Sequence, residues 1–337
     1  MATAIRELTY REAVSAALWE EMERDPNVFL IGEDIGLGGG AFNVTKGFQK
    51  HFGKTRVVDA PLCESGFTGV AIGAALRGLR PVVEMQFADF VTEAFKMIVD
   101  YASGNHYRQM GPVPMVVRLP AAALASAGAF HSHNPESWFF HTPGLKMVAP
   151  ATPYDAKGLL VAAIRDNNPV LYLEYKKLYN YPLADLPQAL KPPIPEEEYV
   201  VPIGQARCLR EGTNATLLTF GTGVLLAWEA AQRLEEEDGA SIEVIDLRSL
   251  LPYDKGAILG SVKKTGRLLI LHEAPRTGGV GGEFAAVVAE EAFEHLDAPI
   301  RRVTALDTPI PFSPPLEKAY LPSTEKVVEG LRALLAY

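Results

Sequence analysis

Several short stretches of the chain carry side chains that could do chemistry. In Asp59-Ala-Pro-Leu-Cys-Glu-Ser-Gly-Phe-Thr-Gly69 a single carboxylate, Glu64, stands between Pro61 and a run of small residues. The following Val70, Ala71, Ile72, Ala74, Ala75 and Leu76 are apolar on nearly every side, so the pattern predicts a buried helix with Glu64 near its N-terminus in dry surroundings. Two readings of Glu64 stand. It caps its own helix, meeting free backbone N–H groups and the positive end of the dipole. Alternatively, burial keeps its carboxyl partly protonated and able to pass a proton to a bound heterocycle. Glu33-Asp34 with the glycine-rich Gly36-Leu-Gly-Gly-Gly40 reads as a binding edge after a strand or as a solvated turn. His131 and His133 lie on a loop of small residues, where a catalytic histidine competes with a metal pair that lacks a third ligand. Gly278-Gly-Val-Gly-Gly-Glu283 reads as a dinucleotide loop or as a tight strand-to-helix turn. Cys63, beside Glu64, is a reactive thiol or a small core residue.

These groups need a scaffold, and the apolar periodicity supplies one. A helix is expected over Thr9 to Arg24, opened by the capping-box pair Thr9 and Glu12. Strands are expected at Asn27 to Gly32, Arg56 to Asp59, Pro81 to Phe87, Pro114 to Leu119, Lys146 to Val148 and Val170 to Leu173, with helices after Glu64, over Phe90 to Tyr101 and over Tyr154 to Ile164. Tyr181 to Pro202, rich in proline and carrying Glu196-Glu-Glu198, breaks the pattern as a linker would. Beyond it strands (Ala215 to Phe220, Ile242 to Asp246, Arg267 to Leu271) again alternate with helices (Val224 to Glu236, Tyr253 to Thr265, Glu283 to His295, Ser323 to Ala336). The expected fold is therefore α/β with two doubly wound domains, at 1–185 and 203–337, joined by a linker at 186–202.

The 337 residues carry a net charge of −9 without a basic tract, which excludes nucleic acid and anionic membrane surfaces as expected partners. The N-terminus has no apolar core of signal-peptide length, and no segment reaches about 18 uninterrupted apolar residues. Cys63 and Cys208 are the only cysteines, and the expected location is cytoplasmic. Gly-x-Ser-x-Gly, Walker and His-Glu-x-x-His motifs are absent, so hydrolase and nucleotide-motor readings lack support.

Read together, Ile31-Gly-Glu-Asp34, Pro61-Leu-Cys-Glu-Ser65, Gln86-Phe-Ala-Asp-Phe90, His131-Ser132, His141-Thr-Pro-Gly-Leu-Lys146, Asp246-Leu-Arg-Ser249, His272-Glu-Ala-Pro275 and Asp307-Thr-Pro309 run nearly end to end. In this order they resemble the beta subunit of the thiamine-diphosphate-dependent decarboxylase component of 2-oxo acid dehydrogenase complexes. The resemblance implies a pyrimidine-binding first domain and a smaller transketolase C-terminal-like second domain. It implies that Glu64 hydrogen-bonds the aminopyrimidine ring nitrogen, Phe90 stacks on that ring, Leu62 shares its wall, Glu33 lies near the cofactor, and His131 serves the intermediate and acyl transfer. The chain has no Gly-Asp-Gly motif, so diphosphate and Mg2+ are expected from an alpha subunit in an α2β2 heterotetramer. A small 2-oxo acid is the implied substrate, branched-chain acids being favoured over pyruvate, with acetoin the choice of a close relative. The lipoylated dihydrolipoyl acyltransferase core is the implied partner. Potassium, often bound by such subunits, has Ala163, Asp166 and Asn168 as candidate ligands by position.

The sequence also departs from this family. Ala121-Ala-Ala-Leu-Ala-Ser-Ala127 stands where relatives usually have glycines, Lys96 where they have Asp, and His133-Asn134 where they have Gln-Ser. These departures motivate a second reading, a subunit that keeps fold and interaction surfaces without normal turnover.

Overall fold

The computed structural model describes residues 5–124 and 126–337. Met1 to Ala4 of the N-terminal reading and Ala125 of the alanine-rich loop lie outside the described residues. The chain forms two compact units, one of Met1–Ala121 with Trp138–Ile203, the other of Ala122–Ser137 with Gly204–Tyr337.

In the first unit, β1 (Val28–Gly32), β2 (Val57–Asp59), β3 (Arg80–Glu84), β4 (Val116–Ala121), β5 (Lys146–Val148) and β6 (Val170–Tyr175) pair in parallel in the order β2-β1-β3-β4-β6-β5. β4 and β6 are buried at every position, as expected of central parallel strands covered on both faces. The helices are α1 (Tyr10–Arg24), α2 (Glu64–Leu76) and α3 (Pro153–Arg165). The capping box forms: Glu12 N–H donates to Thr9 Oγ1 at 3.3 Å and Thr9 N–H to the Glu12 carboxylate at 2.8 Å. Arg165 at the end of α3 grips both oxygens of buried Glu21 on α1, its Nε lying 3.1 and 3.0 Å from them.

The strand order places the binding edge. The chain leaves β1 for β2 on one side, crosses to β3 on the other side of β1, and continues outward to β4. Connections therefore diverge beyond the carboxyl ends of β1 and β3, and such a switch point opens the crevice where α/β sheets take ligands.

Two expectations for this unit need correction. Phe90 to Tyr101 is not one helix but a 3₁₀ turn, Ala88–Thr92, and a wide π turn, Met97–Ala102. The Thr92 and Ser103 hydroxyls donate to the carbonyls of Asp89 and Val99, taking acceptors that a regular helix would use. The proline-rich 186–202 stretch docks on the first unit, with Leu190, Ile194 and Val201 buried and Val201 N–H donating to Gly158 O at 3.1 Å. Proline content signals irregular backbone; it does not report burial.

The second unit is a sheet of β7 (Arg207–Arg210), β8 (Ala215–Thr219), β9 (Ile242–Asp246), β10 (Leu268–Pro275) and β11 (Arg301–Ala305) in the order β11-β10-β8-β9-β7, parallel except for β7. Its helices are α4 (Gly223–Asp238), α5 (Lys255–Thr265), α6 (Gly281–Glu291), α7 (Pro314–Tyr320) and α8 (Thr324–Leu335). Leu217, Val244 and Leu269 pack with Ala227, Leu234, Val328 and Leu331 as its core. The sequence pattern missed β7 and β11, edge strands whose arginines hide a strand signature. This sheet also has a switch point, between the ends of β8 and β10, where Phe220 to Thr222 face His272 and Glu273. Among the described residues no helix is long and apolar enough to cross a membrane.

Candidate functional site

The first switch point gathers the expected residues of the first unit. Glu33 directly follows β1, Glu64 opens α2 after β2, and Phe90 sits on the turn after β3. Glu33 is only 4% exposed, and neither carboxylate oxygen meets a hydrogen-bond donor among the described residues. Burial pushes its carboxyl above the ordinary range, and the charges of Glu64 and Asp34 push it further. A buried carboxylate with empty acceptors is costly, and a donor from beyond the described residues would relieve it.

The loop beyond Glu33 holds itself. Gly36 N–H donates to Asp59 Oδ1 at 2.6 Å, and a Cβ at Gly36 would lie 2.2 Å from Gln49 Nε2 and 2.3 Å from the other Asp59 oxygen, so a larger residue would push both side chains aside where the loop closes on the end of β2. Gly40 N–H donates to Asp34 O at 2.9 Å. Phe90 is half-buried and meets Phe87 edge-on at 5.9 Å between centroids.

The expectation of dry surroundings for Glu64 is corrected. α2 buries Phe67, Thr68, Ala71, Ile72 and Ala75, but Gly66 and Gly73 are exposed, Val70 is 60% exposed, and Glu64 is half-buried. Leu62, at 84%, and Cys63 are also exposed. The all-round apolar pattern is present; among the described residues nothing covers the second face.

His131 belongs to the other unit, on the Ala122–Ser137 segment, half-buried between exposed Phe130 and buried Ser132. That segment brings in Glu136, which the sequence reading missed. It is fully buried, and among the described residues its oxygens meet no donor but its own backbone amide. Burial pushes its carboxyl up to about 7; the amide opposes this, and the nearby Glu273 carboxylate adds to it. A lone acid at the end of an alanine-rich stretch was the available signal.

The remaining candidates have structural accounts. Cβ atoms at Gly279 and Gly281 would lie 2.6 and 2.9 Å from the ring of buried His272, so these glycines admit the chain's own imidazole. That imidazole is pushed down to about 4, chiefly by burial and then by the Arg302 charge, the Ala274 backbone opposing. Among the described residues one cluster has metal-capable donors, Cys208, Glu211 and Glu243, and Lys264 already bonds both carboxylates. Lys96 is tied to Asp100 at 2.7 Å in an exposed pair, so the reversed charge is answered locally. Exposed His133 uses its carbonyl to accept Ala122 N–H at 2.9 Å.

The candidate potassium segment fits poorly. Arg80 donates to Ile164 O at 2.9 Å, to Asp166 O at 3.0 Å and to Asn167 Oδ1 at 2.8 Å, while Lys146 Nζ lies 2.5 Å from Asp166 Oδ2. Ala163 O accepts Asp166 N–H at 3.3 Å, and Asn168 donates its side-chain amide to Asp166 Oδ1 at 2.9 Å. Burial would raise the Asp166 carboxyl, but Lys146 and the Asn168 amides hold it below the ordinary range.

Comparison with known proteins agrees with this architecture. Residues 6–182 match the family described as transketolase, pyrimidine binding domain, and residues 204–327 match transketolase, C-terminal domain. The chain is 43% identical over 333 residues to the 2-oxoisovalerate dehydrogenase subunit beta of Bacillus subtilis, covering 98% of this chain and 99% of that one. It is 42% identical over 333 residues to the pyruvate dehydrogenase E1 component subunit beta of Staphylococcus epidermidis, again covering 98% and 99%. The 2-oxoisovalerate dehydrogenase subunit beta of Pseudomonas aeruginosa is 44% identical over 344 residues, covering 99% and 97%. A solved structure described as a split gene transketolase, inactive beta4 tetramer, shares the fold at a TM-score of 0.78 and 24% identity, covering 98% of this chain and 99% of that chain.

Proposed function

The chain belongs to the beta-subunit family of 2-oxo acid dehydrogenase E1 components, and we propose on that premise that it is the pyrimidine-binding half of a thiamine-diphosphate site completed by an alpha subunit. The family is thiamine-diphosphate-dependent, of branched-chain or pyruvate type. The observation that carries the proposal is Glu33, buried at the first switch point with both acceptors empty beside Glu64. That is the donor-hungry edge that a protonated or amino-bearing heterocycle satisfies.

In this reading Glu64, at the head of α2, holds a proton at the ring nitrogen of the aminopyrimidine. Half-exposed Phe90 offers a face to that ring, and Leu62 extends the wall. Glu33 holds the neighbouring position and keeps the crevice electronegative. The cofactor, when bound, supplies the electron sink that lets a 2-oxo acid lose its carboxylate. His131 moves protons at the substrate end and at acyl transfer to a lipoyl group of the acyltransferase core. The open face of α2, with Gly66, Val70 and Gly73, is apolar surface that the alpha subunit would cover in an α2β2 heterotetramer. Diphosphate and Mg2+ contacts come from that subunit. The proposal includes no potassium, because Arg80 and Lys146 already occupy the oxygens in question. A branched-chain acid such as 2-oxoisovalerate is favoured, with pyruvate the alternative.

The test is decarboxylation by the chain co-expressed with its alpha subunit, offered 2-oxoisovalerate, pyruvate and 2-oxobutyrate. Turnover of one acid, lost by about a hundredfold or more in Glu64→Gln with assembly intact, is the expected result. An assembled complex that binds the cofactor but turns over none of them, nor acetoin, sinks the proposal in favour of the non-catalytic subunit.

A further inference from the structure

The two switch points differ in what fills them. In the second unit the place where a ligand would enter an α/β sheet is taken by the chain itself, through the segment that carries His131. Ala123 N–H donates to Glu273 Oε1 at 2.9 Å, and Thr222 Oγ1 donates to Glu273 Oε2 at 2.5 Å, so one carboxylate at the end of β10 joins the tip of β8 to the incoming loop. Farther along, Ser126 N–H lies 3.0 and 3.1 Å from the two oxygens of Glu317 on α7. Ala123 is buried in a small apolar cluster with Ala305, Ile310 and Tyr320, against which Ala129 packs. Gly128, at φ +71°, lies so close to Phe312 that a Cβ would come within 2.1 Å of its ring. Anchors at positions 123, 126 and 128 thus precede His131, whose own N–H reaches Gly128 O at 3.4 Å.

The backbone needs such anchoring. Ala122 and Ser126 adopt φ of +71° and +63°, left-handed conformations that cost a residue with a Cβ and persist only where surroundings over-determine them. A glycine loop would reach the same path without help. This alanine-rich loop reaches it because acceptors on the second unit fix its amides.

We propose that Glu273 and Glu317 are positioning residues for His131, and that the second unit takes part in the reaction by clamping the His131 loop into its own switch point. This rests on the reading of His131 given above. Neither carboxylate touches a reacting atom; each fixes a backbone N–H upstream of the histidine. Glu317 is half-buried on a short helix, so it tolerates replacement better than a core residue.

The experiment uses the heterotetramer with its alpha subunit and measures kcat, KM for the 2-oxo acid and thiamine-diphosphate affinity for Glu317→Ala, Glu317→Gln, Glu273→Gln and His131→Ala. Glu317→Ala is expected to lower kcat about tenfold, with KM and cofactor affinity at wild-type values. Glu317→Gln and Glu273→Gln keep a carbonyl acceptor for the same N–H groups and are expected to retain most of the rate. Wild-type kcat in Glu317→Ala, or a loss that Glu317→Gln does not repair, overturns the clamp. Where Glu317→Ala does not assemble, Glu317→Asp replaces it, since the shorter acid cannot reach Ser126, and the same comparison with Gln applies. Turnover lost in His131→Ala but kept in Glu317→Ala sinks the clamp alone. Full turnover in His131→Ala sinks the reading beneath it.

Discussion

Both sheets place a carboxylate at a switch point, and the surroundings of those carboxylates set their uses apart. On one wall of the first, Glu84 ends β3 and pairs with Arg118, which also grips Glu174 at 2.6 and 2.8 Å. On the other wall, Glu33 has no donor among the described residues. In the second unit Glu273 is bonded on both oxygens, by Ala123 N–H and Thr222 Oγ1, while Glu136 beside it has no donor among the described residues but its own amide. Burial costs a carboxylate several kcal/mol unless it is answered, by roughly the penalty for an unpaired polar or charged group. Where the chain supplies the answer, as for Glu84 and Glu273, the group holds strands and loops together. Where it does not, a titrating group waits for a partner or a proton.

The largest expected effect comes from turning an answered site into an unanswered one. Arg118→Met removes the cation between Glu84 and Glu174 and leaves two buried carboxylates, at a cost of about 3–5 kcal/mol. The variant should fail to accumulate as folded protein near neutral pH and recover in part with acid, which protonates the orphaned pair. Soluble yield and the thermal midpoint check this. A midpoint unchanged at pH 8 would show that the network is not what carries these strand ends.

Glu136→Gln should act in the opposite direction. The folded-state carboxyl sits near 7 against an ordinary value of 4.5, so the folded protein binds the extra proton between those values. Its contribution to stability is fully present below about 4.5 and lost as pH rises through about 7. A neutral isostere removes that loss, so the variant should gain about 3 kcal/mol at pH 8 and little at pH 4.5. Thermal midpoints across this range read it directly; a parallel offset at every pH would mean that Glu136 does not titrate there.

These particular groups also show where the sequence was legible. Glu33, Glu64 and Phe90 follow short apolar runs, and a residue directly after a buried parallel strand is at the sheet's carboxyl edge whatever the rest of the chain does. The capping box at Thr9 was local in the same way. The face of α2 was not: an apolar pattern reports that something covers a helix, and the pattern is the same whether the cover is this chain or another. Nor was the second unit's hold on 122–137, because the acceptors at Glu273 and Glu317 lie 150 and 191 residues from the amides that they bind. The lack of glycine over 121–127 was visible, but not the anchors that make up for it.

Glu33→Gln separates stability from function by a smaller margin. Burial, then the charges of Glu64 and Asp34, raise the folded-state carboxyl, so its stabilising contribution belongs to the protonated form and is lost as pH rises through the folded-state value. At neutral pH the glutamine variant should melt higher than wild type in the absence of thiamine diphosphate. With the cofactor added, wild type should gain more than the variant, because a ligand stabilises the folded state more the tighter it binds, as the logarithm of its concentration over Kd. Turnover should fall while stability rises. If both fall, Glu33 is an ordinary structural acid and the contrast between the two walls of the first switch point disappears.

The smallest effect expected is none, and it concerns a third place where the chain answers its own acceptors. At the end of α3, Arg80 and Lys146 take the Ile164 and Asp166 carbonyls and the Asp166 carboxylate, much as the Ala123 amide takes Glu273. A potassium ion seated among these oxygens would stand beside two fixed positive charges. Each would repel it by on the order of 4 kcal/mol at about 4 Å in partly screened surroundings. Replacing potassium chloride with choline chloride at constant ionic strength should therefore leave thermal midpoint and turnover unchanged. Arg80→Ala frees the two carbonyls and one neighbouring amide oxygen while Lys146 still neutralises Asp166, so it should lower the midpoint and make it sensitive to potassium. A wild-type enzyme that loses several degrees without potassium would mean that the ion displaces Arg80 in solution, and that built-in cations here hold the site open for the ion rather than substituting for it.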